Sequence, residues 1–263
     1  MEGTAVSADG VSIAFAARGA GAPTLVFVHG WSCDRGYWRF QLGPLAEHHQ
    51  VVAIDLAGHG DSGRTRAEWT MPAFGDDVVA VADQLGLDHA VLVGHSMGGD
   101  VIVEAARRLP AVVIGLVWVD TYRTLGESSS RRDVENFLAP FRQDFAPATR
   151  GYVRTLFAPD SDPDLVEAVA DDMAPAPREI ALSALEHAIT FEPAIRAGLR
   201  EIGVPVVAIN PDYKPTDVEA LRRHGVKAVI MSGVGHFLMM EDPETFNRLL
   251  AETVKDFDSS PLE

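Results

Sequence analysis

Short apolar runs alternate with segments of helical periodicity along most of this chain. Met71–Leu85, Val101–Leu109 and Glu244–Val254 carry apolar residues at helical spacing. Runs rich in β-branched residues predict seven strands: Val11–Ala17, Thr24–Val28, Val51–Asp55, Ala90–Gly94, Gly115–Asp120, Val204–Ile209 and Lys227–Met231. Several of these runs are apolar throughout, which is typical of strands buried on both faces of a parallel sheet. The alternation therefore predicts an α/β fold, a mostly parallel sheet with helices on both faces.

The alternation of strands and helices stops between Thr121 and Ile202. This stretch contains helical segments separated by prolines, around Asp133–Phe145, Asp164–Asp172 and Arg178–Thr190. Because so long a stretch cannot be a single loop of a compact domain, it predicts a helical cap inserted between two strands. The predicted organisation is a core domain of residues 1–120 and 203–263 with a cap insertion of residues 121–202.

Composition limits the partners of the protein. The chain of 263 residues has 38 acidic and 22 basic side chains, a formal net charge of −16. This balance argues against binding to nucleic acid or to an anionic membrane surface, and it favours a small, neutral or apolar partner. The single cysteine, Cys33, cannot form an internal disulfide. No apolar run approaches the length of a membrane helix and no signal-peptide pattern is seen, so a cytoplasmic location is expected.

The strongest chemical motif is Gly94-His95-Ser96-Met97-Gly98. It matches the G-x-S-x-G nucleophile elbow, in which a sharp strand-to-helix turn presents the serine. A predicted strand precedes the motif and a helical pattern follows it, which is the context that the elbow requires. Ser96 is therefore the candidate nucleophile.

A serine nucleophile needs a base and a site for the developing negative charge. His236 follows the last predicted strand and is the candidate base, since a neutral imidazole can take the hydroxyl proton. The backbone N–H groups of Met97 and of Trp31 are the candidate oxyanion-hole donors. His95 adjoins the nucleophile, and packing is the expected role for its ring.

The chain resembles the α/β-hydrolase superfamily over nearly its whole length. The matching stretches are Phe27-Val28-His29-Gly30-Trp31, Asp55-Leu56-Ala57-Gly58-His59-Gly60-Asp61-Ser62, Gly94–Gly99, and Gly235-His236-Phe237 with Glu241-Asp242-Pro243. The resemblance implies an eight-stranded, mostly parallel sheet with a cap over the site. It also implies chemistry on acyl bonds without a metal or another cofactor. Only seven strands are predicted above, so a strand of an N-terminal hairpin is expected in addition.

Two carboxylates compete for the acid of the triad. The family usually places this acid after the penultimate strand, but there an ungapped alignment falls near Lys214, and Asp212 comes two residues early. Some members carry the acid at the end of an earlier strand, where this chain has Asp120. Although an aspartate at such a position is often only a cap or turn former, Asp120 is preferred over Asp212.

These residues predict a serine esterase or lactonase that cleaves a small to medium apolar substrate through an acyl-enzyme. Three other functions stay open: a cofactor-free haloperoxidase or perhydrolase, a C–C bond hydrolase, and a non-catalytic ligand receptor of the same fold. The sequence does not decide between a monomer and a homo-oligomer. It also does not name the substrate, because the residues of the cap that contact it cannot be identified from the sequence.

Overall fold

An eight-stranded sheet runs through the computed structural model, which describes residues 1–126 and 130–259. Residues 127–129 of the predicted cap and 260–263 of the predicted core lie outside these ranges. The strands are β1 (Glu2–Val6), β2 (Ser12–Arg18), β3 (Thr24–Val28), β4 (Val51–Ile54), β5 (Ala90–His95), β6 (Val113–Val119), β7 (Val206–Pro211) and β8 (Val226–Met231). Their order across the sheet is β1-β2-β4-β3-β5-β6-β7-β8, and only β2 runs antiparallel to its neighbours. The predicted fold class is confirmed.

β1 is the strand that the apolar pattern did not predict. It forms a hairpin with β2, from Glu2 opposite Ala16 to Val6 opposite Ser12. Ala5 is its one buried residue, and Val6 is 71% exposed. An edge strand with so little buried apolar surface leaves no recognisable hydrophobic run in the sequence.

The helices lie between and after the strands. A 3₁₀ turn (Arg35–Trp38) leads into α1 (Arg39–Leu45), followed by α2 (Met71–Leu85) and α3 (Met97–Arg108). Between β6 and β7 come α4 (Arg131–Gln143), α5 (Phe145–Arg154), α6 (Pro163–Met173), α7 (Arg178–Ile189) and α8 (Glu192–Gly198). The last three helices are α9 (Val218–Arg223), α10 (Leu238–Glu241) and α11 (Pro243–Ser259). None of the described helices is long and apolar enough to cross a membrane.

Helices α4–α8 lie where the cap is predicted and are consistent with one, and α5 and α8 were not predicted. Pro147 suggested a break, but it lies in the first turn of α5, where a proline removes no hydrogen bond. The cap contacts the loop after β3 through Trp31, whose indole N–H donates to the carbonyl of Ala181 at 2.7 Å. The Trp31 ring also packs edge-on against Phe141 and Phe145. The cap therefore rests on the loop that follows the central strand β3.

Candidate functional site

Ser96 occupies the sharp turn between β5 and α3. Its backbone angles are φ 52° and ψ −120°, an unusual conformation for a residue with a side chain, and it is the N-cap of α3. The flanking glycines permit this turn. A Cβ at Gly94 would lie 2.3 Å from the carbonyl oxygen of Gly98, and a Cβ at Gly98 would lie 2.5 Å from that of Val28. The G-x-S-x-G pattern is thus required by close backbone contacts on both sides of the serine.

His236 and Asp120 lie in direct contact, although 116 positions separate them in sequence. The ring Nδ1 of His236 lies 2.6 Å from Oδ2 of Asp120. Asp120 follows β6 directly, is buried, and has a φ of 45°. A carboxylate that accepts the Nδ1–H proton leaves Nε2 of the imidazole as the basic nitrogen. Ser96 and His236 line the same cavity, so the structure brings these three predicted residues together.

A guanidinium shares the carboxylate of Asp120 with His236. Nη2 of Arg123 donates to the same Oδ2 atom at 2.6 Å, and its guanidinium lies 4.6 Å from the ring centre of Tyr213. Arg123 was not singled out from the sequence. The sequence does hold one indication of this contact. Arg123 follows Asp120 by only three residues, and the chain turns sharply at Asp120.

Asp212, the alternative acid, lies elsewhere. Its side chain is exposed, and its Oδ1 accepts the backbone N–H of Gly233 at 2.9 Å. It therefore shapes the turn after β8 and has no hydrogen bond with His236. Lys214 lines a cavity that Ser96, Asp120 and His236 also line.

The backbone N–H groups of Trp31 and Met97, the two predicted oxyanion-hole donors, make no hydrogen bond within the described residues. Gly30 brings the Trp31 loop close to the serine, since a Cβ on Gly30 would lie 3.2 Å from Cβ of Ser96. Unpaired N–H groups beside a nucleophile can stabilise a negative charge that develops on a bound carbonyl oxygen.

A buried histidine fixes the loop that carries Trp31. Nδ1–H of His29 donates to the carbonyl of Gly30 at 2.8 Å, while its Nε2 accepts the N–H of Leu56 at 3.0 Å. Burial lowers the pKa of His29 to about 4, so the ring is neutral near pH 7 and can both donate and accept.

The backbone of His236 is held from two sides. Nε2–H of His95 donates to its carbonyl at 3.0 Å, and its own N–H donates to the carbonyl of Leu156 in the cap at 2.8 Å. Burial lowers the pKa of His95 well below its usual range, and the nearby His236 adds to this effect. His95 is therefore a neutral packing residue, as its position in the elbow suggested.

A cavity of about 200 Å³ lies against Ser96 and His236. Most of its wall is apolar, formed by residues of the cap and of the loops beneath it: Trp31, Cys33, Met97, Tyr152, Leu156, Met173, Leu185, Ala188, Ile189 and Phe237. Besides Ser96 and His236, the wall includes five polar side chains, those of His95, Asp100, Thr121, Tyr122 and Glu192. The described residues contain no cluster of three or more His, Cys, Asp or Glu side chains that could hold a metal ion. The cavity can accept an apolar molecule that carries a polar group.

Asp100 is the most unusual of these polar residues. It is buried, its Oδ1 accepts the hydroxyl proton of Tyr122 at 2.7 Å, and burial raises its pKa to about 8. The sequence did not single it out. The one signal in the sequence is an acidic residue in the first turn of the helix that follows the elbow.

Comparison with known proteins places the chain in a family. The model of the alpha/beta hydrolase family matches residues 25–249. A segment 36% identical over 151 residues is found in the dihydrolipoyllysine-residue acetyltransferase component of the acetoin cleaving system of Cupriavidus necator, covering 57% of this chain and 39% of that protein. A protein of Mycobacterium phage D29 named for non-heme haloperoxidase activity is 30% identical over 235 residues, 88% of this chain and 77% of its own. The 3-oxoadipate enol-lactonase 2 of Acinetobacter baylyi is 27% identical over 263 residues, 96% of each chain.

Solved structures agree with the fold. Est816, described as an N-acyl homoserine lactone degrading enzyme, matches with a TM-score of 0.81 at 27% identity, over 94% of this chain and 99% of its own. A thermophilic esterase from Thermogutta terrifontis matches with a TM-score of 0.82 at 22% identity, over 98% of this chain and 99% of its own. At 22% identity, the match to the thermophilic esterase supports the fold alone.

Proposed function

Because the chain belongs to the alpha/beta hydrolase family, we propose that it is a serine hydrolase that cleaves a carboxylic ester or lactone. The proposed triad is Ser96, His236 and Asp120. Relatives that are named as an enol-lactonase and as an N-acyl homoserine lactone degrading enzyme support a hydrolase of this class. The apolar lining of the cavity supports a small to medium substrate of mainly apolar character.

In the proposed mechanism, Ser96 attacks the carbonyl carbon while Nε2 of His236 takes its hydroxyl proton. Asp120 holds Nδ1–H, fixes the tautomer and stabilises the imidazolium that forms. The backbone N–H groups of Trp31 and Met97 stabilise the oxyanion. His236 then returns its proton to the leaving alcohol, and water releases the acyl group from Ser96 in the second half of the reaction.

The contact between His236 and Asp120 carries this proposal. The pair lies at 2.6 Å beside the cavity that Ser96 also lines, and Asp120 is buried. A buried carboxylate that holds one ring nitrogen, together with a serine on a tight elbow, is the arrangement that acyl transfer requires. The unpaired N–H groups of Trp31 and Met97 give it further support.

Hydrolysis of short p-nitrophenyl esters and of simple lactones tests the proposal, with the wild type and Ser96→Ala assayed side by side. We expect wild-type turnover and its loss by about a thousandfold or more in Ser96→Ala. Labelling by a fluorophosphonate, followed by mass spectrometry, should modify Ser96 in the wild type only. Labelling without sustained turnover would instead favour a ligand receptor, and equal turnover by Ser96→Ala would contradict the proposed nucleophile.

A second candidate is a perhydrolase or cofactor-free haloperoxidase that uses the same three residues. It is favoured by the 30% identity to the phage protein named for that activity. In this case hydrogen peroxide, instead of water, would release the acyl group from Ser96 as a peracid. Oxidation of bromide that depends on acetate, peroxide and Ser96 would support it, and its absence in an enzyme that hydrolyses esters would exclude it.

A further inference from the structure

Asp100 lies on the helix that begins directly after the proposed nucleophile. It is in the first turn of α3, whose N-cap is Ser96, and it lines the same cavity as Ser96. Its side chain is buried and lines the cavity. Tyr122 donates to Oδ1, whereas Oδ2 has no hydrogen-bond partner within the described residues. One oxygen of this carboxyl group therefore remains available to a ligand.

Glu192 brings a second carboxyl group to the same cavity from the cap. It is the first residue of α8 and is only 8% exposed. Its Oε1 accepts the N–H of Gly126 at 2.8 Å and lies 2.9 Å from Nε of Arg196, but its buried Oε2 has no partner. A buried polar atom without a partner costs free energy, and a ligand that donates a hydrogen bond would remove this cost.

The remaining lining selects the kind of group that fits. No lysine or arginine lines this inner cavity, whereas Arg123 and Lys214 line the adjoining one, which Ser96 and Glu192 also line. Oγ1 of Thr121 is also buried without a partner. A carboxylate on the ligand offers only acceptor atoms and would leave Oε2 of Glu192 without a partner. A hydroxyl group or a protonated amine can donate to this oxygen, and a hydroxyl can also pair with Asp100 in either protonation state.

We propose that Asp100 and Glu192 form a polar subsite that binds a hydrogen-bond-donating group of the substrate, a hydroxyl or a protonated amine. This proposal rests on the proposed function and adds to it a substrate class. The substrate is an ester or lactone that carries its donor group at a distance from the scissile carbonyl, with an apolar chain between the two. The subsite determines specificity and takes no part in the acyl transfer itself.

Matched esters test the subsite. Methyl hexanoate, methyl 6-hydroxyhexanoate, methyl 6-(dimethylamino)hexanoate and methyl hydrogen adipate place methyl, hydroxyl, ammonium and carboxylate groups at one end of the same acyl chain. Butyl, 4-hydroxybutyl and 4-(dimethylamino)butyl acetates place the first three groups on the alcohol side. In at least one series we expect kcat/KM for the hydroxyl or ammonium ester to exceed that of the methyl-terminated ester about tenfold, the effect of one hydrogen bond to a carboxyl group. The adipate ester should be the poorest acyl substrate.

Variants with side chains of nearly the same shape show which residues cause this preference. Above pH 8, where Asp100 is ionised, Asp100→Asn and Glu192→Gln should each reduce the preference to about twofold or less, because each replaces an acceptor oxygen by an amide group. Asp212→Asn is the matched control and should keep the full preference. It removes an exposed carboxylate that does not line this cavity. Thermal unfolding of each variant checks that the fold is intact.

Binding measurements distinguish a failure of the subsite proposal from a failure of the proposed function. Dissociation constants of the same esters for Ser96→Ala, measured by ligand-observed NMR, need no turnover. Tighter binding of the hydroxyl or ammonium esters supports the subsite even if the wild type hydrolyses none of them, which would overturn only the proposed function. Equal rates and equal binding for methyl and donor esters would overturn the subsite, as would a preference for the adipate ester or one that survives in both variants.

Discussion

Asp120 and Asp212 follow neighbouring parallel strands, yet only Asp120 contacts His236. Val119 at the end of β6 pairs with Ile209 in β7, so Asp120 lies level with Asn210 and Asp212 lies two positions further along. β7 continues to Pro211, which pairs with Met231 of β8, and this extension carries Asp212 to the surface. The position at which a strand ends therefore decides which carboxylate lies beside the imidazole.

Asp120 and Asp212 also differ in the hydrogen bonds that they accept. Asp120 is buried, and its Oδ2 accepts hydrogen bonds from two side chains, His236 and Arg123. Asp212 is exposed and accepts one backbone N–H, that of Gly233. Hydrogen bonds in a buried site are worth more than the same bonds in water. We therefore expect a large functional effect at the first position and a small structural effect at the second.

The largest effect is expected for Asp120→Asn. An asparagine cannot stabilise the imidazolium of His236 and can present the wrong group to Nδ1, so kcat should fall by about a thousandfold or more. Steady-state ester hydrolysis measures this change, and Asp212→Asn should remain within about threefold of the wild type. The reverse ranking of the two variants would mean that the acid of the triad is Asp212.

Asp100 extends the comparison to a buried carboxyl group outside the proposed triad. Burial raises its pKa to about 8, against about 4 in an unfolded chain, so the folded state binds the proton more tightly. The free energy of unfolding should therefore fall as pH rises from about 4 to about 8, by several kcal/mol at most from this group. Asp100→Asn, which resembles the protonated acid, should match the wild type near pH 5 and be more stable at pH 8.

Denaturant unfolding at the two pH values measures the effect of Asp100. Asp212→Asn serves as the exposed control and should follow the pH dependence of the wild type. An Asp100→Asn curve parallel to that of the wild type would mean that Asp100 is already ionised at pH 5 in the folded protein.

A smaller effect is expected for Arg123→Met. The variant removes one of the two donors on Oδ2 of Asp120, which frees the carboxylate to rotate away from His236. We expect kcat to fall about tenfold, with partial recovery in Arg123→Lys, whose ammonium can donate only as a point charge. Unchanged kcat in Arg123→Met would show that His236 and the backbone hold Asp120 without help.

The smallest effect is expected for Asp212→Ala. It removes the acceptor for the Gly233 N–H, an exposed hydrogen bond worth about 1 kcal/mol or less in the free energy of unfolding. Ester hydrolysis should stay within about threefold of the wild type. A large loss of activity without a loss of stability would reveal that the turn after β8 positions His236 more tightly than its single hydrogen bond suggests.

The fold was predictable from the sequence wherever burial left a periodic pattern. β3, β5 and α2 match their predicted ranges closely because their apolar residues face the core. β1 was expected only through the family resemblance, since its pattern is weak. α5 was missed because its proline falls in the first turn, where local sequence does not distinguish a helix start from a helix break.

The site was predictable only where chemistry is encoded by local motifs. Ser96 and His236 lie in short motifs, and the preference for Asp120 over Asp212 agrees with the contact to His236. Arg123 and Glu192 were missed because their importance arises from tertiary contacts, with Asp120 in one case and with the inner cavity in the other. No spacing in the sequence places the start of α8 beside the first turn of α3.

The hydrogen bond from the N–H of His236 to Leu156 limits how this protein can be re-engineered. The proposed base belongs to the core, but one of the two groups that fix its main chain belongs to the cap. A Cβ at the adjacent Gly235 would also lie 2.7 Å from the Leu156 carbonyl oxygen, so the two segments fit without spare room. A cap grafted from a relative to change specificity would therefore need to keep the backbone course around Leu156. The predicted cap cannot be exchanged as an independent unit, because part of the support for the proposed base would be lost with it.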